Sequence, residues 1–197
     1  MTSTIMPVDP VSGQVPEAVQ AHSPNQDTRP AGIDPELVVI HGISLPPGVF
    51  GGDGVDRLFT NRLEPAAHPF YAQIQGLRVS AHLFLRRDGT LIQYVPLHRR
   101  AWHAGVSAWS GRAACNDFSV GIELEGCDDQ PYSEAQYGVL LPLCRGLMAA
   151  YPVLSPARFV GHCDIAPERK TDPGPAFDWR RLWRGLEPVA SVDTGKR

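Results

Sequence analysis

The first strongly apolar run of the chain, Leu37-Val38-Val39-Ile40, is short, rich in β-branched residues and followed by His41. Such a run predicts a buried strand. Segment 42–54 then carries Pro46, Pro47 and several glycines, which neither regular element accommodates, so a long loop is expected beside that strand. Strand-like runs at 79–85 and 91–95 flank Asp88-Gly89, a step suited to a turn with positive φ, and together predict a hairpin. Another buried strand is expected over 119–124, with Glu123 and Glu125 near its carboxyl end. Ser133 followed by Gln136 has the form of a capping box, and Tyr137, Leu140, Leu141, Cys144, Leu147, Met148 and Tyr151 recur at helical spacing. This predicts an amphipathic helix, kinked at Pro142. A short strand at 158–161 should deliver His162 at its end, and 179–183 should form a last short helix. Strands interleaved with helices predict a single α/β domain whose central mixed β-sheet is flanked by helices.

Composition sets the limits of that domain. Residues 1–32 hold few large apolar side chains and many Pro, Gly, Ser and Gln, which predicts a flexible N-terminal extension. The folded domain is expected over 33–186, with 187–197 as a C-terminal tail. The chain has 18 basic and 21 acidic residues and no basic cluster, which argues against a nucleic-acid partner. No apolar run is long enough to span a membrane, and Pro7, Asp9 and Pro10 interrupt the amino-terminal stretch where a secretory signal would need continuity. The four cysteines form no Cys-x-x-Cys pair, which fits reduced thiols and a cytoplasmic location. No obligate protein partner is expected.

Three side chains stand where strands stop and loops begin: His41, His162 and Asp172. Two imidazoles and a carboxylate, with a fourth position left to water, make a catalytic zinc set, whereas structural zinc sites are closed by four protein ligands. Hydrolysis at such a centre also needs a proton carrier, for which Glu123 is the candidate. Glu125 points to the same side of an extended strand, so spacing leaves both open. Lys170 is placed to neutralise a developing oxyanion. Of the other histidines, His82 reads as a packed core residue inside a strand, and His103, in the turn Ala101-Trp102-His103-Ala104-Gly105, as the wall of a substrate groove. His22, His68 and His98 receive no role. Cys163 is expected to be a core thiol, because neighbours on an extended chain point opposite ways.

The strings VVIH-x-ISLPPG (38–48), LRVSAH (77–82), RRDGTLIQYVP (86–96), RAWHAGVS (100–107), CNDFSVGIELEG (115–126) and GHCDIAPERKTDPGPAFDW (161–179) closely resemble the 1,6-anhydro-N-acetylmuramyl-L-alanine amidases of the AmpD type. These belong to a zinc amidase family that includes peptidoglycan recognition proteins and phage T7 lysozyme. The resemblance implies that fold, and hydrolysis of the lactyl–L-Ala amide bond of anhydro-muropeptides in cytoplasmic peptidoglycan recycling. It implies Zn2+ on His41, His162 and Asp172, Glu123 as the catalytic carboxylate, and Lys170 as the transition-state lysine. It also implies a substrate groove with Arg78, Trp102, His103 and Asn116, Arg78 facing the peptide carboxylates. Two positions depart from the pattern. Gly42 replaces an asparagine and Ala114 an arginine, both expected to touch substrate. The alternative is a non-catalytic module of the same fold that binds peptidoglycan fragments.

Overall fold

The computed structural model describes residues 4–187. Its strands and helices in chain order are β1 (Val19–Gln20), β2 (Gln26–Thr28), β3 (Leu37–Ile43), α1 (Gly54–Phe59), α2 (Pro69–Gln73), β4 (Leu83–Leu85), β5 (Leu91–Gln93), β6 (Arg99–Ala101), β7 (Ala108–Trp109), β8 (Arg112–Ala113), β9 (Ser119–Glu125), α3 (Glu134–Ala150), β10 (Phe159–Gly161), α4 (His162–Ile165) and α5 (Trp179–Leu186). The main sheet has the order β1-β5-β4-β9-β3-β10. Only β4 and β5 pair antiparallel, as a hairpin; the remaining neighbours are parallel. Among the described residues no helix is long and apolar enough to cross a membrane.

Alternation along the central strands decides what each face of the sheet carries. Val38 and Ile40 of β3, with Val120, Ile122 and Leu124 of β9, point to one face and pack with Tyr137, Leu140, Cys144 and Leu147 of α3 and Leu182 of α5. On the other face Leu37 and Val39 pack beneath Ala104, Cys115 and Phe118, while Phe84 joins Leu58, Phe59 and Tyr94. Every residue of β9 is buried, so its alternate positions Ser119, Gly121, Glu123 and Glu125 are polar or small yet shielded from water. Burial of that kind demands specific partners, and it is this polar face that carries the chemistry.

Helix α3 begins with the expected capping box: Gln136 N–H donates to Ser133 Oγ (3.1 Å), and Ser133 N–H donates to Gln136 Oε1 (2.9 Å). It continues through Pro142, whose carbonyl accepts from Met6 N–H at 3.0 Å. The strand expected over 79–85 is shorter, because the chain before it bonds away from the sheet, Ser80 N–H donating to Trp102 O. The strand expected over 91–95 likewise ends at Gln93. Helices α1 and α2 lie in stretches where periodicity gave no sign of them.

The flexible N-terminal extension is a correction. Residues 4–32 pack on the domain: Met6, Val15 and Ala18 are buried, β1 extends the sheet beside β5, and β2 pairs with β6. What holds the segment is backbone capture by polar side chains more than apolar area, so composition could not register it. Asn25 Nδ2 donates to Val79 O at 2.7 Å, and Ser23 Oγ to Phe59 O at 2.5 Å. Arg29 is buried and donates to the carbonyls of Leu97, Asn116, Asp117 and Ser119, at 2.7 Å for the last. Burial lowers its pKa to about 10, which leaves the guanidinium charged at neutral pH. The C-terminal tail expected over 187–197 falls, beyond Glu187, outside the described residues.

Arg29→Ala leaves those carbonyls without a donor and should lower the unfolding free energy by about 2–4 kcal/mol in urea titrations. A loss under about 0.5 kcal/mol would mean that the segment is not anchored through this side chain.

Candidate active site

In the parallel register of β3 with β9, His41 stands opposite Glu123, and in that of β10 with β3, Gly161 stands opposite Ile40. His162, the next residue, therefore leaves the sheet level with His41. Open parallel sheets place sites at the carboxyl ends of strands for this reason: neighbouring chain ends arrive together. The loop after α4 returns Asp172 to the same point, and Asp172 O accepts from Cys163 N–H at 3.0 Å.

The result is a tight cluster. His41 Nδ1 and His162 Nδ1 lie 2.9 Å apart, and Asp172 Oδ2 lies 3.2 Å from the first and 3.1 Å from the second. Both imidazoles are almost fully buried. His162 Nε2 faces Ala104 O at 3.2 Å, and a carbonyl can only accept, so a neutral ring keeps its proton on Nε2 and leaves Nδ1 bare. Bare ring nitrogen and carboxylate oxygen are both acceptors, and a cation at their common focus relieves the conflict between them. The donor set, nitrogen and oxygen with no thiolate, fits Zn2+.

Electrostatics separate the carboxylates. Burial lowers the His41 pKa to about 4, with Asp172 opposing and the charges of His162 and Lys170 adding to the fall. For Asp172 burial pushes upward, but the proximity of His162 and His41 outweighs it and holds the carboxyl below its usual range. Glu123 goes the other way: burial, and then the charge of Asp172, raise it well above the usual range, with Lys170 opposing. Its Oε1 lies 3.9 Å from His41 Nδ1, and Oε2 is buried with no hydrogen-bond partner.

Glu125 is different in kind. Its Oε1 accepts from Gly51 N–H (2.5 Å) and its Oε2 from Arg87 N–H (3.0 Å), which ties the 42–54 loop and the β4–β5 turn to the sheet. The two glutamates thus differ in their partners: both carboxylate oxygens of Glu125 accept backbone hydrogen bonds, and Glu123, beside the cluster, has an unpartnered oxygen.

A cavity of about 310 Å³ leads to the cluster, with Glu123, Lys170, Asp172 and His162 at its base and Gly42, Leu45, Phe70, Ile74 and Leu77 on its walls. Phe70 and Ile74 come from α2 and its C-cap, which periodicity missed; the sequence sign was His68-Pro69, a cap followed by a first-turn proline, and His68 Nδ1 does accept from Phe70 N–H at 3.1 Å. Arg78 is exposed and lines an adjoining hollow of about 320 Å³ that shares Leu58, Ile74 and Leu77 with the first. Trp102 is half-buried and lines neither hollow.

Two other expectations shift. His103 does border the cavity, but its ring is buried behind His41, with Nδ1 2.9 Å from His41 Nε2. Asn116 is buried away from the cavity, and its Oδ1 accepts from the backbone N–H of His103 (3.1 Å) and Ala104 (2.8 Å), so it holds a loop where a substrate contact was expected. His82 is a fully buried histidine outside the cluster: Nδ1 accepts from Gly121 N–H and Nε2 donates to Arg99 O, each at 3.0 Å. Cys163 is only half-buried rather than a core thiol, because α4 starts at His162 and the two residues do not alternate on an extended chain. Gly42 lines the cavity, and Ala114 is exposed in a left-handed conformation (φ 60°) outside it.

Glu123→Gln and Glu125→Gln should move stability in opposite directions. The second weakens acceptance from two backbone amides and should cost about 1–3 kcal/mol in urea unfolding at neutral pH. The first removes a buried ionisable group that has no partner and should be neutral or stabilising.

Comparison with known proteins follows this geometry closely. Residues 31–175 match the family model described as N-acetylmuramoyl-L-alanine amidase. The 1,6-anhydro-N-acetylmuramyl-L-alanine amidase AmpD of Salmonella typhimurium (strain SL1344) is 55% identical over 182 residues, covering 92% of this chain and 96% of the relative. A crystal structure of a selenomethionine AmpD derivative superposes with a TM-score of 0.88 at 52% identity, covering 92% of this chain and all of the other. The amidase AmiD of E. coli, solved with anhydro-N-acetylmuramic acid-L-Ala-D-γ-Glu-L-Lys as substrate, gives a TM-score of 0.58 at 31% identity over 80% of this chain and 60% of its own.

Proposed function

The chain belongs to the N-acetylmuramoyl-L-alanine amidase family, and from that membership and the geometry of its cluster we infer how its residues act. It is an amidohydrolase for the bond between the muramyl lactyl group and L-alanine in 1,6-anhydro-muropeptides. The observation that carries the reading is the convergence of His41, His162 and Asp172 beside a buried, unpartnered Glu123 at the base of one cavity.

His41 Nδ1, His162 Nδ1 and an Asp172 carboxylate oxygen would hold Zn2+. When bound, the ion supplies Lewis acidity towards the scissile carbonyl and lowers the pKa of water towards about 7. Glu123 takes the proton of the attacking water and hands it to the leaving nitrogen. A carboxyl whose pKa burial has raised is suited to carrying a proton between two such partners. Lys170, which lines the cavity beside the cluster, offers positive charge to the oxygen of the tetrahedral intermediate. Arg78, exposed in the adjoining hollow, is positioned for the carboxylates of the stem peptide, and a guanidinium can bind each through two hydrogen bonds. Trp102 lies beyond both hollows, and we assign it to the outer edge of the binding surface. Four unpaired cysteines support a cytoplasmic place for the reaction, in recycling of soluble fragments.

Metal analysis and turnover separate these roles. Glu123→Gln should keep one zinc per chain and lose several orders of magnitude in kcat, whereas Asp172→Ala should lose tight zinc binding, and His82→Gln should keep it. Normal turnover by Glu123→Gln would send the search for the proton carrier elsewhere. Soluble anhydro-muropeptides should be cleaved far faster than intact sacculi. A wild-type chain that held zinc and bound the fragments without cleaving them would instead be a recognition module.

A further inference from the structure

His41 can ligate through Nδ1 only if its single ring proton resides on Nε2. We propose that His103 and Ser119 form a relay that fixes this tautomer, with His103 as a positioning residue behind the metal ligand; the inference rests on the zinc reading of the cluster.

The relay starts at a hydroxyl whose only hydrogen is already engaged, so it cannot also donate to His103. Ser119 Oγ lies 2.6 Å from Cys115 O, so the hydroxyl hydrogen points at that carbonyl and the oxygen's lone pairs remain free. His103 Nε2 lies 3.1 Å from the same Oγ and supplies the hydrogen it accepts. The His103 ring is buried between His41 and His82, and among the described residues no carboxylate pairs with it, so it holds one proton rather than two. With that proton on Nε2, His103 Nδ1 is a bare acceptor, and at 2.9 Å it receives the N–H of His41 Nε2. His41 Nδ1 is then free to face His162 and Asp172. The reverse order would turn the Ser119 hydroxyl away from Cys115 O, giving up that 2.6 Å bond and leaving the carbonyl only the longer 3.2 Å bond from Phe118 N–H.

The surroundings are built for the ring. A Cβ at position 121 would collide with His103 Cγ, Nδ1 and Cδ2, so only glycine on β9 lets the imidazole lie against the sheet. Asn116 Oδ1 pins the backbone of residues 103 and 104, and Ala104 O accepts from His162 Nε2. One dipeptide thereby orders both imidazoles of the cluster, His41 through a side chain and His162 through a carbonyl. Partners behind ligand histidines set tautomer and orientation, and their loss weakens metal binding about ten- to a hundredfold.

Two readouts test the relay, neither of which is activity. In chelator competition, His103→Phe should bind zinc about ten- to a hundredfold more weakly than wild type. His103→Gln should recover most of that loss, because its amide oxygen can accept from His41 and its NH2 can donate to Ser119. In the metal-free protein, nitrogen-15 imidazole spectra should show His41 with its proton on Nε2 alone, and a mixture of tautomers in His103→Phe. A merely structural role for His103 would lower stability without producing that mixture. If His103→Phe does not fold, Ser119→Ala serves: it frees His103 to protonate on Nδ1 and should drive His41 towards the Nδ1–H form. An unchanged His41 tautomer in the folded variants, with zinc affinity within about twofold of wild type, would overturn the relay. A wild-type chain that binds no zinc at all would sink the zinc reading, and the tautomer spectra would still decide the relay.

Discussion

The parallel pairing of β3 between β9 and β10 is the constraint on which the rest depends. It brings the carboxyl ends of three strands to one level, and its register sets His41 opposite Glu123 with His162 one residue past the neighbouring edge strand. A slip of one residue would turn His41 to the face packed by α3 and bury Val38 or Ile40 among polar groups. The apolar face therefore enforces the polar one. Val38, Ile40, Val120, Ile122 and Leu124 have no chemistry of their own, yet their burial against α3 fixes the height at which the imidazoles and the carboxylate meet.

The polar face is held by directional bonds instead. Glu125, His82, Ser119 and Asn116 are saturated by backbone groups of loops that cross the sheet. Glu123 Oε2 is unpaired, and the facing acceptors of the cluster repel one another. At the cluster an unpaired carboxylate oxygen and closely facing acceptors meet, flanked by groups that have partners.

Much of this was legible in the sequence where the signal is local. The run 37–40 before His41, the capping box at Ser133 and the Asp-Gly turn each carry their own geometry. What was illegible is non-local. Glu123 and Glu125 are equivalent by parity, and only Gly51 and Arg87, brought in from distant turns, tell them apart. His103 suggested a groove through its neighbours Trp102 and Gly105, and Asn116 only through the resemblance; their partners lie on β3 and in the covering loop. The packing of residues 4–32 is invisible to composition because apolar content measures one kind of anchoring, and Arg29 and Asn25 use another. The four-residue αβ boundary at His162 likewise overrode the alternation that had placed Cys163 in the core.

The Arg29 anchor gives the chain an order of events. Its guanidinium grips carbonyls 68 to 90 residues further along, and His41 meets Asp172 across 131 residues. Contacts so remote in sequence form late, after the intervening segments have been synthesised and docked. A growing chain thus holds His41 for most of its synthesis without the partners it meets in the finished fold. The three-residue cluster exists only in the completed fold, and the last loop to arrive is the one that closes it.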